Sequence, residues 1–224
     1  MAGNKLDVVV VPARAGSKGI KNKNLIELNG LPLFERAVKQ GCEHSSRVIL
    51  STDIPEILSG GIFTSAEIHA RSSQTAEDSA TMEDVLLEVI HDKNLLNCNV
   101  LLLQPTSPLR KYCDISGAIS LFLANETSLV VSCCRTSSGI LKSIVGLEGK
   151  YFGIRNQEYL FQNRQNLPPL FKPNGAIFIF NSKVFLECGF NNMPLNVFEM
   201  PEERSLDIDN EYDLEMARDI LKHG

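Results

Sequence analysis

The sequence predicts an α/β protein with a mostly parallel sheet and helices on both faces. Apolar runs of strand length alternate with stretches of helical periodicity almost from the start of the chain. The first run is continuously apolar instead of alternating, the mark of a strand covered on both sides. The connections between runs are long enough for crossover helices, which parallel neighbours require.

The elements follow in order. Leu6 to Val11 reads as a buried strand. Pro32 to Cys42 reads as a helix, with Pro32 tolerated in the first turn and Leu33, Ala37 and Val38 on one side. Arg47 to Thr52 is the second strand and Ala66 to His69 a short third. Thr81 to Lys93 is an amphipathic helix, Asn99 to Gln104 a strand, Asp114 to Ala124 a helix and Ser128 to Cys134 a strand. The rhythm breaks between about Arg135 and Pro173, where Gly139, Gly146, Gly149 and Gly153 punctuate polar and aromatic runs. This stretch reads as a hairpin or arm inserted at about 136–172 of one 224-residue domain. Gly175 to Phe180 restores the strand pattern, and Asn210 to Lys222 closes the chain as a helix.

Composition narrows the function. The 224 residues carry 22 Lys+Arg against 27 Asp+Glu, a net charge of -5, and 43% are hydrophobic. That is an ordinary globular balance, without the basic face that sequence-independent nucleic-acid binding needs. The longest apolar runs are strand-length, far short of a bilayer span, and Met1 to Asp7 has no apolar leader core, so a cytoplasmic protein is expected. Six cysteines form no C-x-x-C pair and four histidines show no zinc spacing. Reduced, structural thiols are expected.

Ligands of open parallel sheets bind beyond the carboxyl ends of strands, so the loops there are where chemistry is sought. The first is Pro12 to Asn24, which holds Arg14, Lys18, Lys21 and Lys23 and no acidic residue. Gly16 and Gly19 let its backbone present N–H groups to an anion, with Lys18 as a mobile charge. Polyphosphate binding is the favoured reading over a solvated basic loop. The G-x-x-x-x-G-K-[ST] and G-x-G-x-x-G loops are both excluded by the order of residues. Near the other end, Asp207 and Asp209 lie two apart, so an extended segment points both carboxylates the same way. That suits a hard cation such as Mg²⁺; capping of the closing helix by Asp209 explains the pair equally well. Arg71, Gln104, Arg164, Lys172 and Asn174 are weaker candidates. No nucleophile elbow surrounds Ser17 or Ser107.

Taken together, Val10 to Gly19 with Lys23-Asn24, Ser51-Thr-Asp53, Arg71 to Thr75, Leu103 to Arg110, Arg164-Gln165, Pro173 to Ala176 and Asp207 to Asp209 resemble the acylneuraminate cytidylyltransferases. The blocks run in family order through nearly the whole chain. The resemblance implies a Rossmann-like nucleotidyltransferase sheet with an inserted dimerisation arm, and Mg²⁺-dependent transfer of CMP from CTP to the anomeric hydroxyl of a nonulosonic acid. It implies that Arg14, Ser17 and Lys18 hold the triphosphate and that Lys23, Asn24, Arg71 and Thr81 serve the nucleotide. Gln104 would face the sugar, Asp207 and Asp209 would bind the metal, and Asp209 would be the candidate base. Members are homodimers, so Arg164 and Lys172 are expected to act in the partner's site. Ala80 and Met82 replace common serines, Lys172 a common arginine and Phe178 a common tyrosine, differences that bear on which sugar is taken. The alternatives are legionaminic acid as acceptor, or a silent nucleotide-binding regulator. No nucleic acid or membrane partner is expected.

Overall fold

Val8 and Val10 pack into one apolar cluster and Val9 and Val11 into another, on opposite faces of the sheet. An alternating strand covered on both sides can afford no polar residue, which is why this segment reads as an unbroken apolar run. The computed structural model describes residues 6–17 and 19–223 of the chain.

In chain order the strands are β1 (Val8–Ala13), β2 (Glu27–Leu28), β3 (Leu31–Pro32), β4 (Val48–Thr52), β5 (Glu67–Ala70), β6 (Asn99–Leu102), β7 (Leu129–Thr136), β8 (Ile144–Leu147), β9 (Lys150–Gly153), β10 (Leu170–Asn181) and β11 (Leu195–Glu199). The helices are α1 (Leu33–Cys42), α2 (Pro55–Leu58), α3 (Ser73–Ala76), α4 (Met82–Asp92), α5 (Tyr112–Leu123), α6 (Ser182–Cys188) and α7 (Glu211–His223). Seven strands form the main sheet in the order β11-β7-β10-β6-β1-β4-β5. Its strands run parallel except β10, which lies antiparallel between β6 and β7. Chain order reverses between β6 and β1, so the switch point, where open sheets leave a crevice, falls there.

One face is covered by α1, α2 and α5, through Phe34, Ala37, Ile57, Ile115 and Phe122. The other is covered by α4 and α6, through Leu86, Val89, Ile90 and Phe185. A smaller third cluster joins Ile20 of the basic loop, Leu28, Leu33, Ile208, and Leu214 and Ala217 of α7. It draws the two ends of the chain together over the sheet.

Several expectations are adjusted. Pro32 ends β3 and sits just outside α1, because Asn29 and Gly30 both take positive φ and close a tight two-residue hairpin before it. Helix α5 starts at Tyr112, and Asp114 occupies its third position, where its carboxylate accepts the Lys111 N–H at 2.8 Å. The last long strand begins at Leu170, not Gly175, with a bulge between Pro173 and Phe178. Leu170, Phe171 and Lys172 pair with Thr136, Arg135 and Cys134, so the arm leaves the sheet after Thr136 and returns at Leu170. Helix α6 and edge strand β11 had no expected counterpart. No helix among the described residues is long and apolar enough to cross a membrane. None of the six cysteines is in a disulfide, and only Cys133 is buried.

Candidate active site

A cleft lies at the carboxyl ends of β1, β5 and β6, lined by Arg14, Ser17, Lys23, Asn24, Arg71, Met82 and Gln104 with Pro12 and the turn at Pro105. Its charged lining residues are all cations, in a chain that is negative overall, with Arg14 and Lys23 ion-paired to Asp78 and Asp209. Lys18 lies outside the described residues.

The basic loop is held by its own chain. Asn24, 5% exposed, donates from Nδ2 to the Arg14 carbonyl at 2.9 Å. The Ala15 N–H donates to Asp53 Oδ1 at 2.7 Å, and Arg14 reaches Asp78 at 2.6 Å. Gly19 is required by a close approach: a Cβ there would stand 1.9 Å from the Asp209 carbonyl oxygen. Lys23 donates to the Ile208 carbonyl at 2.5 Å and to Asp209 Oδ1 at 3.2 Å. Loop and carboxylate segment are therefore clamped together.

Ile208 is buried in the third cluster, while its neighbours Asp207 and Asp209 both line a second cleft on the other side. The Ile208 N–H donates to Thr106 at 2.8 Å, which fastens the segment over the turn after β6. Burial first, and Asp209 next to it, push the Asp207 carboxyl above its usual range. Its Oδ1 is buried and accepts nothing. Capping of α7 falls to Asn210, whose Oδ1 accepts the Asp213 N–H at 3.0 Å while Asp213 accepts the N–H groups of Asp209 and Asn210. The Asp209 side chain is thus free of the capping role, and is largely exposed beside Lys23.

Gln104 lines the first cleft and also a neighbouring pocket with Thr81, Met82, Glu83, Leu102, Phe178, Phe190 and Asn191. It reaches across because Gly175, at φ +72°, has no side chain; a Cβ there would lie 3.1 Å from Gln104 Oε1. Asn174 braces this point, accepting from Ser132 Oγ at 2.6 Å and donating to Ser205 Oγ at 2.9 Å. Below it Arg110, 2% exposed, donates to the carbonyls of Gln104 and Ala176 at 2.7 and 3.0 Å. Burial pulls its pKa down to about 9. Ser107, Arg110 and Ser132 bear on the site from buried positions that sequence reasoning left without a role.

Two candidates are placed differently from expectation. Lys172 stands on β10 and lines the cleft that holds Asp207 and Asp209 of its own chain, so it needs no partner to reach them. Thr81 uses its hydroxyl and N–H in the capping box of α4 with Asp84, at 2.7 to 3.2 Å, leaving only its surface to the pocket. Arg164 packs against Gly139 within the arm and lines neither cleft.

A basic cleft at the switch point of such a sheet, with paired carboxylates lining the adjoining cleft, is the layout of the nucleotide-binding class of open α/β sheets. Within that class the chain belongs to the cytidylyltransferase family, whose model matches residues 8–185. It is 31% identical over 212 residues to an N-acylneuraminate cytidylyltransferase of Streptococcus agalactiae, covering 92% of this chain and 51% of that one. The chain thus spans about half the length of those streptococcal relatives. It is 27% identical to a pseudaminic acid cytidylyltransferase of Campylobacter jejuni and 28% to a CMP-N,N'-diacetyllegionaminic acid synthase of Legionella pneumophila, covering 96% of each chain in both cases. The fold is shared with CMP:2-keto-3-deoxy-manno-octonic acid synthetase complexed with CTP, at a TM-score of 0.71, 16% identity and coverage of 98% and 99%.

Proposed function

We propose that this protein transfers CMP from CTP to the anomeric hydroxyl of a nonulosonic acid of the N-acylneuraminate type, releasing pyrophosphate, and works as a cytoplasmic homodimer. The observation that carries the proposal is the convergence of Arg14, Ser17, Lys23, Asn24, Arg71 and Gln104 on one cleft next to the Asp207–Asp209 pair. The relatives' named substrates supply the choice of nucleotide and sugar.

Arg14, Ser17 and Lys18 then hold the triphosphate, with Asn24 and Arg71 on the nucleotide and the Thr81 surface beside the base. Gln104 orients the acceptor sugar. The donor set fits Mg²⁺: both ligands are oxygens, and the buried Asp207 Oδ1 has no protein partner, a costly arrangement that a cation would relieve. Held by Asp207 and Asp209, Mg²⁺ would supply charge neutralisation for pyrophosphate departure and would lower the pKa of a nearby hydroxyl. Asp209 takes the proton from the attacking oxygen as the new O–P bond forms and the α–β bridge breaks. Lys172 and, from the partner's arm, Arg164 add positive charge around the acceptor carboxylate.

A second reading of the acceptor is favoured by the pocket beyond Gln104. Phe178, Phe190, Met82 and Leu102 dominate its lining. Such walls give the terminal methyl of a legionaminic-type sugar an apolar surface, while Glu83, Gln104 and Asn191 in the same lining offer partners to its polar groups. Pyrophosphate release with CTP and Mg²⁺, run with N-acetylneuraminate, N,N'-diacetyllegionaminate and no sugar, tests both. Sugar-dependent release is expected. A folded protein that binds CTP yet releases nothing with either sugar would overturn the transferase reading in favour of a silent nucleotide-binding regulator.

A further inference from the structure

His69, Glu88 and Asp92 bring ligand-type atoms within 4.8 Å of one another, away from the carboxylate pair. All three already have protein partners. Glu88 accepts the Ser72 N–H at 2.7 Å and the Thr75 hydroxyl, and both nitrogens of His69 have partners. What the cluster builds is a chain of hydrogen bonds that ends at the nucleotide cleft.

Ser51 on β4 and His69 on β5 are register partners in parallel strands. Arg71 lies two residues beyond His69, so the period of an extended strand returns it to the same side. Its Nε donates to Ser51 Oγ at 3.1 Å and to the Ser51 carbonyl at 3.2 Å. Ser51 Oγ, fully buried, stands 3.2 Å from His69 Nδ1, and His69 Nε2 stands 3.2 Å from Asp92 Oδ2. Donor and acceptor roles follow from the carboxylate end. Ionised Asp92 can only accept, so His69 Nε2 carries the proton given to it. In the neutral ring Nδ1 is then the acceptor and takes the Ser51 Oγ proton, which leaves the Ser51 lone pairs to Arg71.

We propose that His69 is a positioning residue for nucleotide binding: with its tautomer set by Asp92, it orients the Ser51 hydroxyl so that Arg71 is held by Nε. Nη1 and Nη2 make no hydrogen bond among the described residues and are left for the ligand. Arg71 makes no salt bridge among the described residues, Asp53 and Glu88 act on it only through space, and burial lowers its pKa to about 10. Its direction therefore depends on Ser51 and on what fixes Ser51. This role rests on the proposal that the cleft takes CTP.

The test is calorimetric CTP binding without sugar, alongside steady-state kinetics, for wild type, Ser51→Ala, His69→Leu, His69→Asn and His69→Gln. Asn offers its Oδ1 close to the place of Nδ1, whereas Gln offers its polar atoms near Nε2. Ser51→Ala and His69→Leu should each weaken CTP about tenfold in Kd and KM, the loss of one hydrogen bond to a charged group, with kcat within about twofold. His69→Asn should regain most of the affinity and His69→Gln little. Unchanged CTP affinity in folded Ser51→Ala or His69→Leu overturns the inference. So does equal weakening in Asn and Gln that follows their unfolding temperatures. A wild type that binds no CTP overturns the reading of the cleft itself, a different result from a wild type that binds while its variants match it.

Discussion

The nucleotide cleft and the arm obtain their order from different sources. In the cleft, residues that touch the ligand space are tied to others of the same chain: Asn24 to the Arg14 carbonyl, Arg71 to buried Ser51, and the Gln104 backbone to buried Arg110. Between residues 137 and 169 only Leu141 and Leu167 are buried hydrophobics. Ile144, Leu147, Tyr151, Phe152 and Phe161 are all exposed, Phe161 at 88%. A cleft whose geometry is fixed internally can bind before anything else assembles. An arm with its apolar groups in water gains its order by covering something, and a second copy of the chain is the occupant that our functional proposal requires.

The sharpest way to break that contrast is at Asp207. Asp207→Asn should cut kcat about 10³-fold or more while leaving the unfolding midpoint unchanged or higher, because it removes a buried charge one of whose oxygens no donor satisfies. A variant that keeps its Mg²⁺-stimulated rate would take the metal away from this pair. Next in size is Gly19→Ala. A methyl 1.9 Å from a backbone oxygen forces the loop and the carboxylate segment apart, so turnover should fall at least tenfold and stability by about 1–3 kcal/mol. Gly16→Ala has open space around its Cβ and should keep the wild-type midpoint. Differential scanning calorimetry with turnover assays separates the two.

The arm is tested by complementation. Arg164→Ala and Asp207→Asn protomers, each nearly inactive alone, should regain about a quarter of wild-type turnover when refolded together if Arg164 serves the partner, since each mixed dimer then has one intact site. No recovery would place Arg164 in its own chain's site. The smallest effect belongs to Thr81→Ala. It removes an N-cap and should cost about 1 kcal/mol in urea unfolding, while CTP affinity stays within about twofold because the hydroxyl already serves the helix. A large loss of affinity would show that ligand binding recruits the hydroxyl from its cap.

Much of this was legible along the chain. Each strand of the main sheet up to β7 was expected from the chain's pattern, though the small hairpin of β2 and β3 was not, and α4 began where Thr81 and Asp84 form a capping box. The basic loop stood out by charge alone. The Asn29-Gly30 turn was equally legible and was passed over for the helix signal after it. Strand β11 was hidden for a physical reason: an edge strand half open to water, Leu195–Glu199 has no need of a buried run. Helix α6 is short and exposes Leu186, so it too gives little periodic signal.

The sequence by itself determined the layered α/β architecture and the chemical character of the cleft, since burial patterns and local charge are written residue by residue. Only the tertiary structure decided which carboxylate is free and which residue caps α7, that Lys172 faces its own chain's Asp207 and Asp209, and that Ser51, His69, Arg110 and Asn174 stand behind the residues that meet the ligand. Apart from the local cap of α7, the contacts that join separate strands link residues 18 to 66 positions apart. Their direction depends on which donor finds which acceptor after the sheet has closed, and no local pattern in the chain records that choice.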